Sequence, residues 1–127
     1  MSAAILAIED NPDNMELFAW ILEDEGFEFE GVGTAEEGLD SLERRLFDLV
    51  LMDVALPGMD GKEATRRIRA DPRFAHLPII AVTAHAGKRE TEEILAAGVN
   101  SVLTKPLEHA RLIQAIRSEL RERESHA

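Results

Sequence analysis

Carboxylates follow two short apolar stretches of the chain. Leu49 to Met52 is apolar on both faces and leads into Asp53, and the stretch from Ala3 to Ile8 leads into Glu9 and Asp10. Short apolar runs bounded by turn residues are typical of buried parallel strands. Because ligands bind along the edge formed by the carboxyl ends of such strands, we predict that these carboxylates face one site. Carboxylates held close together there require solvent or a cation beside them.

Two further polar side chains follow predicted strands. The strand from Leu77 to Val82 leads into Thr83, and Lys105 comes shortly after the strand from Val99 to Leu103. Oxygen ligands without cysteine or histidine favour a hard cation, and Mg²⁺ suits a site that offers one or two carboxylates. A carboxylate beside this ion can attack phosphorus and form an acyl phosphate, while the metal and a lysine neutralise the transferring group.

Asp53 is the candidate nucleophile. A carboxylate at a strand end is either a residue of a ligand site or a helix cap, and Asp60 is the better cap for the helix that follows, with Glu63 three residues later. Asp53 is thus left without a structural role, which favours a chemical one.

Composition restricts the class of protein. The chain has 127 residues, no cysteine and a formal net charge of −11. This length suits one compact domain. The absence of cysteine excludes disulfides and thiolate metal sites. The negative charge argues against nucleic-acid binding, which needs a basic patch. The sequence lacks a signal peptide or a membrane span, so we expect a cytoplasmic protein with no membrane partner.

Five predicted strands alternate with five predicted helices along the chain. Pro12 starts the first helix, and Thr34 with Glu37 forms a capping box for the second. The segment Gly31-Val32-Gly33 is interpreted as a strand-to-helix turn, because Glu36 stands where a dinucleotide fingerprint needs glycine. Alternating strands and helices predict an α/β fold, with a parallel sheet covered by helices on both faces.

Helical periodicity predicts which side chains are buried. We expect Leu39, Leu42 and Leu46 on the inner face of the second helix, and Ile94 with Leu95 as the few apolar anchors of the fourth.

The third and fifth helices have strongly polar segments. Arg66, Arg67 and Arg69 are expected to point outward, as either a solvated face or a docking face. Residues 121–127 are expected to form a frayed polar tail after a domain of residues 1–120.

The sequence resembles the receiver domains of two-component response regulators from about Ala4 to Leu120. That resemblance implies a flavodoxin-like doubly wound (βα)5 sheet with strand order 2-1-3-4-5. It also implies a stand-alone receiver similar to those of chemotaxis and cell-cycle relays. The matching motifs are Ile8-Glu9-Asp10-Asn11, Leu51-Met52-Asp53, Leu56-Pro57-Gly58-Met59-Asp60-Gly61, Ala81-Val82-Thr83-Ala84 and Leu103-Thr104-Lys105-Pro106.

The resemblance also implies roles for individual residues. Asp53 would be the phosphorylated residue. Glu9 and Asp10 would be the acidic pair that holds Mg²⁺, Asp10 directly, and the carbonyl of Ala55 would be a further protein ligand beside Asp53.

The remaining implied roles concern the switch. Thr83 would be the switch hydroxyl and Lys105 would contact the phosphoryl group, with a cis bond between Lys105 and Pro106. One position departs from the family pattern, because Val102 stands where receivers usually carry Tyr or Phe. His85 is either a functional neighbour of the site or an ordinary loop histidine.

The partner implied by the resemblance is a sensor histidine kinase or a histidine phosphotransferase. We expect a monomer or weak dimer that is not an enzyme. One alternative is a receiver-like interaction module that acts without phosphorylation. Another is a metal-dependent phosphohydrolase with an aspartyl nucleophile, but Ala55 stands where those enzymes carry a second Asp.

Overall fold

A parallel sheet whose three central strands are buried lies at the centre of the computed structural model, which describes residues 2–85 and 87–125. Within these residues the strands lie in the order β2-β1-β3-β4-β5, and every pairing is parallel. This order confirms the predicted fold class. The strands are β1 Ala4–Ile8, β2 Glu28–Val32, β3 Leu49–Asp53, β4 Ile79–Thr83 and β5 Ser101–Thr104. The helices are α1 Pro12–Asp24, α2 Ala35–Arg44, α3 Gly61–Arg69, α4 Lys88–Ala97 and α5 His109–Ser125, with a 3₁₀ helix at Pro72–Phe74.

Two apolar layers hold the helices against the sheet. Alternate residues of each strand point to opposite faces, and on β3 Val50 and Met52 join one layer while Leu49 and Leu51 join the other. The first layer includes residues of α2, α3 and α4, and the second includes residues of α1 and α5. The sheet is therefore covered on both faces, as expected for parallel strands.

Capping side chains fix where the helices next to the strand ends begin. The Asn11 side chain accepts hydrogen bonds from the amides of Asp13 and Asn14, at 2.9 and 3.2 Å. The Asp60 side chain caps α3 by accepting from the amide of Glu63 at 2.9 Å. These bonds satisfy amides that have no partner inside the helix. The Thr34 cap of α2, bonded to the Glu37 amide, is confirmed.

Three packing predictions are wrong. Leu46 is 89% exposed, because α2 ends at Arg44 and the helical period no longer applies beyond that residue. Leu95 is 46% exposed, and α4 is anchored instead by Ile94 and Ala97. Arg69 is half-buried and donates to the backbone carbonyls of the α4–β5 and α3–β4 connections, whereas Arg66 and Arg67 are exposed as predicted.

The last helix extends further along the chain than the sequence predicts. Helix α5 continues to Ser125, so residues 121–125 belong to a helix and not to a frayed tail. Arg123 donates to the carbonyl and side chain of Asp48, both at 3.0 Å, and ties the last turns of α5 to the α2–β3 loop. His126 and Ala127, the rest of the predicted tail, lie outside the described residues. None of the described helices is both long enough and apolar enough to cross a membrane.

Candidate functional site

The carboxyl ends of β1 and β3 bring three carboxylates together. Glu9 and Asp10 follow β1, Asp53 ends β3, and each of the three offers an oxygen within 4.8 Å of the others. Glu9 and Asp53 are buried, and Asp10 is exposed. Parallel pairing of β1 with β3 causes this convergence, because it ends both strands at the same edge.

Lys105 reaches the same cluster from the end of β5. Its Nζ lies 3.2 Å from Glu9 Oε1 and 3.4 Å from Asp53 Oδ2. The Lys105 amide donates to the carbonyl of Thr83 at 2.8 Å, and the bond to Pro106 is cis as predicted. The ammonium group thus lies between two buried carboxylates, where charge pairing is least screened by solvent.

Burial sets the protonation of Glu9. Removal from solvent, and then the neighbouring Asp53 carboxylate, raise the pKa of Glu9 from 4.5 to about 7, although the Asn11 amide and Lys105 oppose this shift. Burial alone would lower the pKa of Lys105, but the charges of Asp53 and Glu9 raise it above its usual value. The site therefore holds more negative charge than one lysine balances.

The cluster fits a hard divalent cation. Glu9 Oε1 is fully buried, and its nearest charged neighbour among the described residues is the Lys105 ammonium at 3.2 Å, with no further hydrogen-bond donor. A buried oxygen without a partner is costly unless an ion or water fills the position. Three carboxylates with no cysteine or histidine among them are the donor set that Mg²⁺ prefers.

Thr83 lies at the same edge, at the end of β4. Its hydroxyl donates to the carbonyl of His85 and accepts from the amide of His85, both at 3.1 Å. The side chain is buried, with 4% of its surface exposed. The hydroxyl is thus engaged with the loop that leads to α4.

The two other predicted site residues occupy different surroundings. Ala55 is exposed, and its amide donates to Asp53 Oδ1 at 3.1 Å. This bond orients the carboxylate, while the predicted role of the Ala55 carbonyl as a metal ligand stays a prediction. Val102 lies in β5, is half-buried and packs against the apolar layer of α2, α3 and α4.

Gly61 is a residue beside the site that the sequence analysis named within a motif but gave no role. It is the first residue of α3, and a Cβ at this position would overlap with the backbone carbonyl of Asp53. Glycine lets α3 begin directly against the end of β3. The sequence could have indicated this role, because glycine is a poor helix former and stands here at the predicted start of a helix.

The chain matches a known protein family over most of its length. Residues 5–117 match the response regulator receiver domain. The chain is 37% identical to the polar-differentiation response regulator DivK of Brucella ovis, covering 94% of this chain and 98% of DivK. It is 41% identical to sensor protein GacS of Pseudomonas syringae pv. syringae, covering 88% of this chain but only 13% of that larger protein.

Solved structures give the same result. A CheY-like receiver domain protein from Methanospirillum hungatei is similar with a TM-score of 0.92 and 31% identity, and the match covers 100% of both chains. The receiver domain of a sensor histidine kinase from Pseudomonas aeruginosa, whose structure holds a magnesium ion in the active-site cleft, has a TM-score of 0.88 and 37% identity. That match covers 94% of this chain and 98% of the other. By family match, sequence and fold together, this chain belongs to the response regulator receiver domains of two-component signalling.

Proposed function

We propose that the chain accepts a phosphoryl group on Asp53 from a phosphohistidine of a sensor kinase or a histidine phosphotransferase. The observation that carries this proposal is the position of Lys105, whose ammonium pairs with Asp53 at 3.4 Å inside a cluster of three carboxylates. An ammonium and a metal beside one carboxylate suit charge neutralisation during phosphoryl transfer.

The transfer forms one bond to phosphorus and breaks another. A carboxylate oxygen of Asp53 forms a bond to phosphorus as the nitrogen–phosphorus bond of phosphohistidine breaks. The electron pair stays on the imidazole nitrogen, which takes a proton from solvent. Mg²⁺, held by Glu9, Asp10 and Asp53, would supply positive charge to the phosphoryl oxygens, and Lys105 adds to that charge.

The proposed function also includes a protein-binding surface that changes when Asp53 is phosphorylated. We propose that the Thr83 hydroxyl turns from His85 toward the phosphoryl oxygens, and that this movement alters α4, β5 and α5. Helix α4 suits this role because Ile94 and Ala97 are its buried residues, so it is held by few apolar contacts. The altered surface would bind the downstream protein.

The names of the relatives support a histidine-containing phosphoryl donor as the partner. GacS is named a sensor protein and DivK a response regulator, and the Pseudomonas aeruginosa neighbour is the receiver domain of a sensor histidine kinase. We propose the same kind of histidine donor for this chain, with Mg²⁺ as the cofactor and the cytoplasm as its location. A monomer or weak dimer remains the predicted assembly.

Phosphoramidate tests the proposal, because its phosphorus–nitrogen bond matches that of phosphohistidine. With phosphoramidate and Mg²⁺, intact mass should rise by one phosphoryl group, and the gain should vanish with Asp53→Asn or with excess chelator. ATP without a kinase should give no gain, since the sequence has no glycine-rich phosphate loop. Equal labelling of Asp53→Asn would contradict the acceptor assignment. Complete lack of labelling would favour an interaction module that does not use phosphate.

A further inference from the structure

A cavity lies at the opposite edge of the sheet from Asp53. Its volume is about 440 Å³, and its walls come from the end of α2, residues 45–47, the α3–β4 connection and Arg123 of α5. Phe47 precedes β3 and Leu77 precedes β4, so the cavity lies at the amino ends of these strands. The volume falls within the range of sites for small organic ligands, roughly 300–1,000 Å³.

Apolar side chains line part of this cavity. Leu42, Phe47 and Leu77 belong to the apolar layer of α2, α3 and α4 and contribute to the walls. Leu46, also a lining residue, is 89% exposed. An exposed leucine next to buried apolar walls extends the surface on which an apolar group can pack.

Arginine is the most frequent charged residue in the lining of the cavity, and each of these arginines is ion-paired with a carboxylate of the chain. Its lining includes Arg44, Arg45, Arg73 and Arg123 but a single acidic residue, Glu43. The whole chain has 14 lysines and arginines against 25 acidic residues. Arginine is therefore concentrated at this edge, and arginine pairs well with carboxylate and phosphate groups.

These arginines differ in how firmly they are held. Arg73 donates hydrogen bonds to both Asp71 and Glu43. Arg45 lies 3.7 Å from Glu30 and 3.9 Å from Glu28, beyond hydrogen-bond distance. Glu28 is exposed and Glu30 is half-buried, and exposed pairs such as Arg45 with Glu28 contribute about 0–1 kcal/mol. Arg45 thus has longer ion pairs than Arg73 and can turn to an incoming anion at lower cost than Arg73.

Aromatic rings lie under two of the guanidinium groups. The Arg45 guanidinium is 4.7 Å from the centre of the Phe47 ring, and that of Arg73 is 4.9 Å from the centre of the Phe74 ring. Guanidinium planes stack on aromatic faces. The cavity therefore presents both planar stacking partners and positive charge.

We propose that this cavity binds a small aromatic anion, whose ring packs against the apolar walls and whose anionic group pairs with Arg45. The ligand class is a planar aromatic molecule that carries one carboxylate, sulfonate or phosphate group. The site shares no residue with the carboxylate cluster at Asp53, and occupancy does not depend on phosphorylation.

The test uses two dyes that share a ring system. The first is 8-anilinonaphthalene-1-sulfonate, and the second is N-phenyl-1-naphthylamine, which lacks the sulfonate. Fluorescence titration of the folded chain should give saturable one-to-one binding of the sulfonate, and at least tenfold weaker binding of the neutral dye. Equal affinity for both dyes would overturn the proposal, because the cavity would then recognise only the apolar ring.

Matched variants locate the binding. Arg45→Gln should weaken sulfonate binding about tenfold, as expected for the loss of one charge-assisted contact, and Leu46→Gln should weaken both dyes. Arg89→Gln and Leu95→Gln are the controls, because both residues are exposed on α4 and neither lines the cavity. Asp53→Asn should bind the sulfonate like the unsubstituted chain. If Arg45→Gln and Arg89→Gln had equal effects on sulfonate binding, the proposed contact between the sulfonate and Arg45 would be wrong.

Amide chemical shifts give an independent location. The sulfonate should shift the amides of residues 42–47 and 73–77 and leave those of Glu9, Asp53 and Lys105 in place. Shifts centred instead on exposed Trp20 and the nearby α5 would overturn the proposal, because they would place the dye on another surface.

Discussion

The hydroxyl of Thr83 donates a hydrogen bond to the backbone carbonyl of His85 and accepts one from its amide, both at 3.1 Å. These two bonds hold the end of β4 to the loop before α4. A phosphoryl group on Asp53 would offer the hydroxyl a charged acceptor, and charge-assisted hydrogen bonds are the stronger kind. Rotation of one side chain would then release the loop.

Removal of this hydroxyl should uncouple the site from α4. In Thr83→Ala, beryllofluoride with Mg²⁺ should still bind at Asp53, but the amide shifts that it induces in α4 should become much smaller. Thr83→Ser keeps the hydroxyl and should retain most of the shifts. The measurement is a two-dimensional amide spectrum of each variant, and undiminished α4 shifts in Thr83→Ala would remove Thr83 from the switch.

Val102 should not relay the signal. Its side chain is half-buried against the apolar layer that includes Ile94, and valine is stiff at χ1 and short. We expect Val102→Ala to keep large beryllofluoride-induced amide shifts from Thr83 through Ala97, a range in which Ala86 lies outside the described residues. If the α4 shifts disappeared while Asp53 still took up phosphate, Val102 would be a relay.

Mg²⁺ should stabilise the folded chain through Asp10. At a concentration a hundredfold above the dissociation constant, the ion should add roughly 2.7 kcal/mol to the free energy of unfolding. Asp10→Asn should lose most of this gain. Because Asp10 is exposed, the substitution should change the free energy of unfolding little when no metal is present. The same substitution at a buried carboxylate would change it more.

The control for this experiment is Asp13→Asn. Asp13 is an exposed carboxylate in the first turn of α1, and it is not part of the cluster of Glu9, Asp10 and Asp53. This variant should keep the full Mg²⁺ effect in urea unfolding. A normal Mg²⁺ effect in Asp10→Asn would show that the ion binds elsewhere.

Glu9 should make metal-free stability depend on pH. Burial raises the pKa of Glu9 to about 7 in the folded chain, against 4.5 normally, so the folded state binds the proton more tightly than the unfolded state. The contribution of Glu9 to stability is therefore greatest below pH 4.5 and falls as pH rises toward 7. With a chelator present, the free energy of unfolding of Glu9→Gln should rise relative to that of the unsubstituted chain as the pH increases from 4.5 to 7. A constant difference between the two at every pH would contradict the raised pKa.

Neighbouring residues of α4 should differ in their effect on stability. Ile94 is fully buried and Leu95 is 46% exposed. Ile94→Ala should reduce the free energy of unfolding by about 2–5 kcal/mol, as for other buried aliphatic side chains. Leu95→Ala should cost less than about 1 kcal/mol, and urea unfolding of both variants measures the difference. Equal costs would mean that α4 packs through another face.

The sheet and the positions of the site residues could be predicted because the signals are local. Each buried strand is a short apolar run, Asp53 and Thr83 follow such runs directly, and Lys105 comes two residues after Leu103. Parallel pairing then brings the strand ends together without any further information. The α/β class and the convergence of these side chains therefore follow from patterns within a few residues, whereas the strand order 2-1-3-4-5 was implied by the family resemblance.

Features that depend on distant contacts, or on the residue at which a helix ends, could not be predicted. Arg69 is half-buried because its guanidinium donates to the carbonyl of Gly98, 29 residues away. Leu46 is exposed because Arg45 leaves the helical conformation, with φ −154° and ψ 162°. Helix α5 continues through a polar segment to Ser125, and Arg123 in that segment donates to Asp48, 75 residues away.

The most direct test of the central claim identifies the phosphorylated residue itself. After treatment with phosphoramidate and Mg²⁺, borohydride reduces an aspartyl phosphate to homoserine and releases phosphate. Peptide mass mapping should then find homoserine at position 53, and aspartate unchanged at positions 10 and 60. Homoserine at either of those positions, or at none after confirmed phosphorylation, would contradict the assignment of Asp53 as the phosphoryl acceptor.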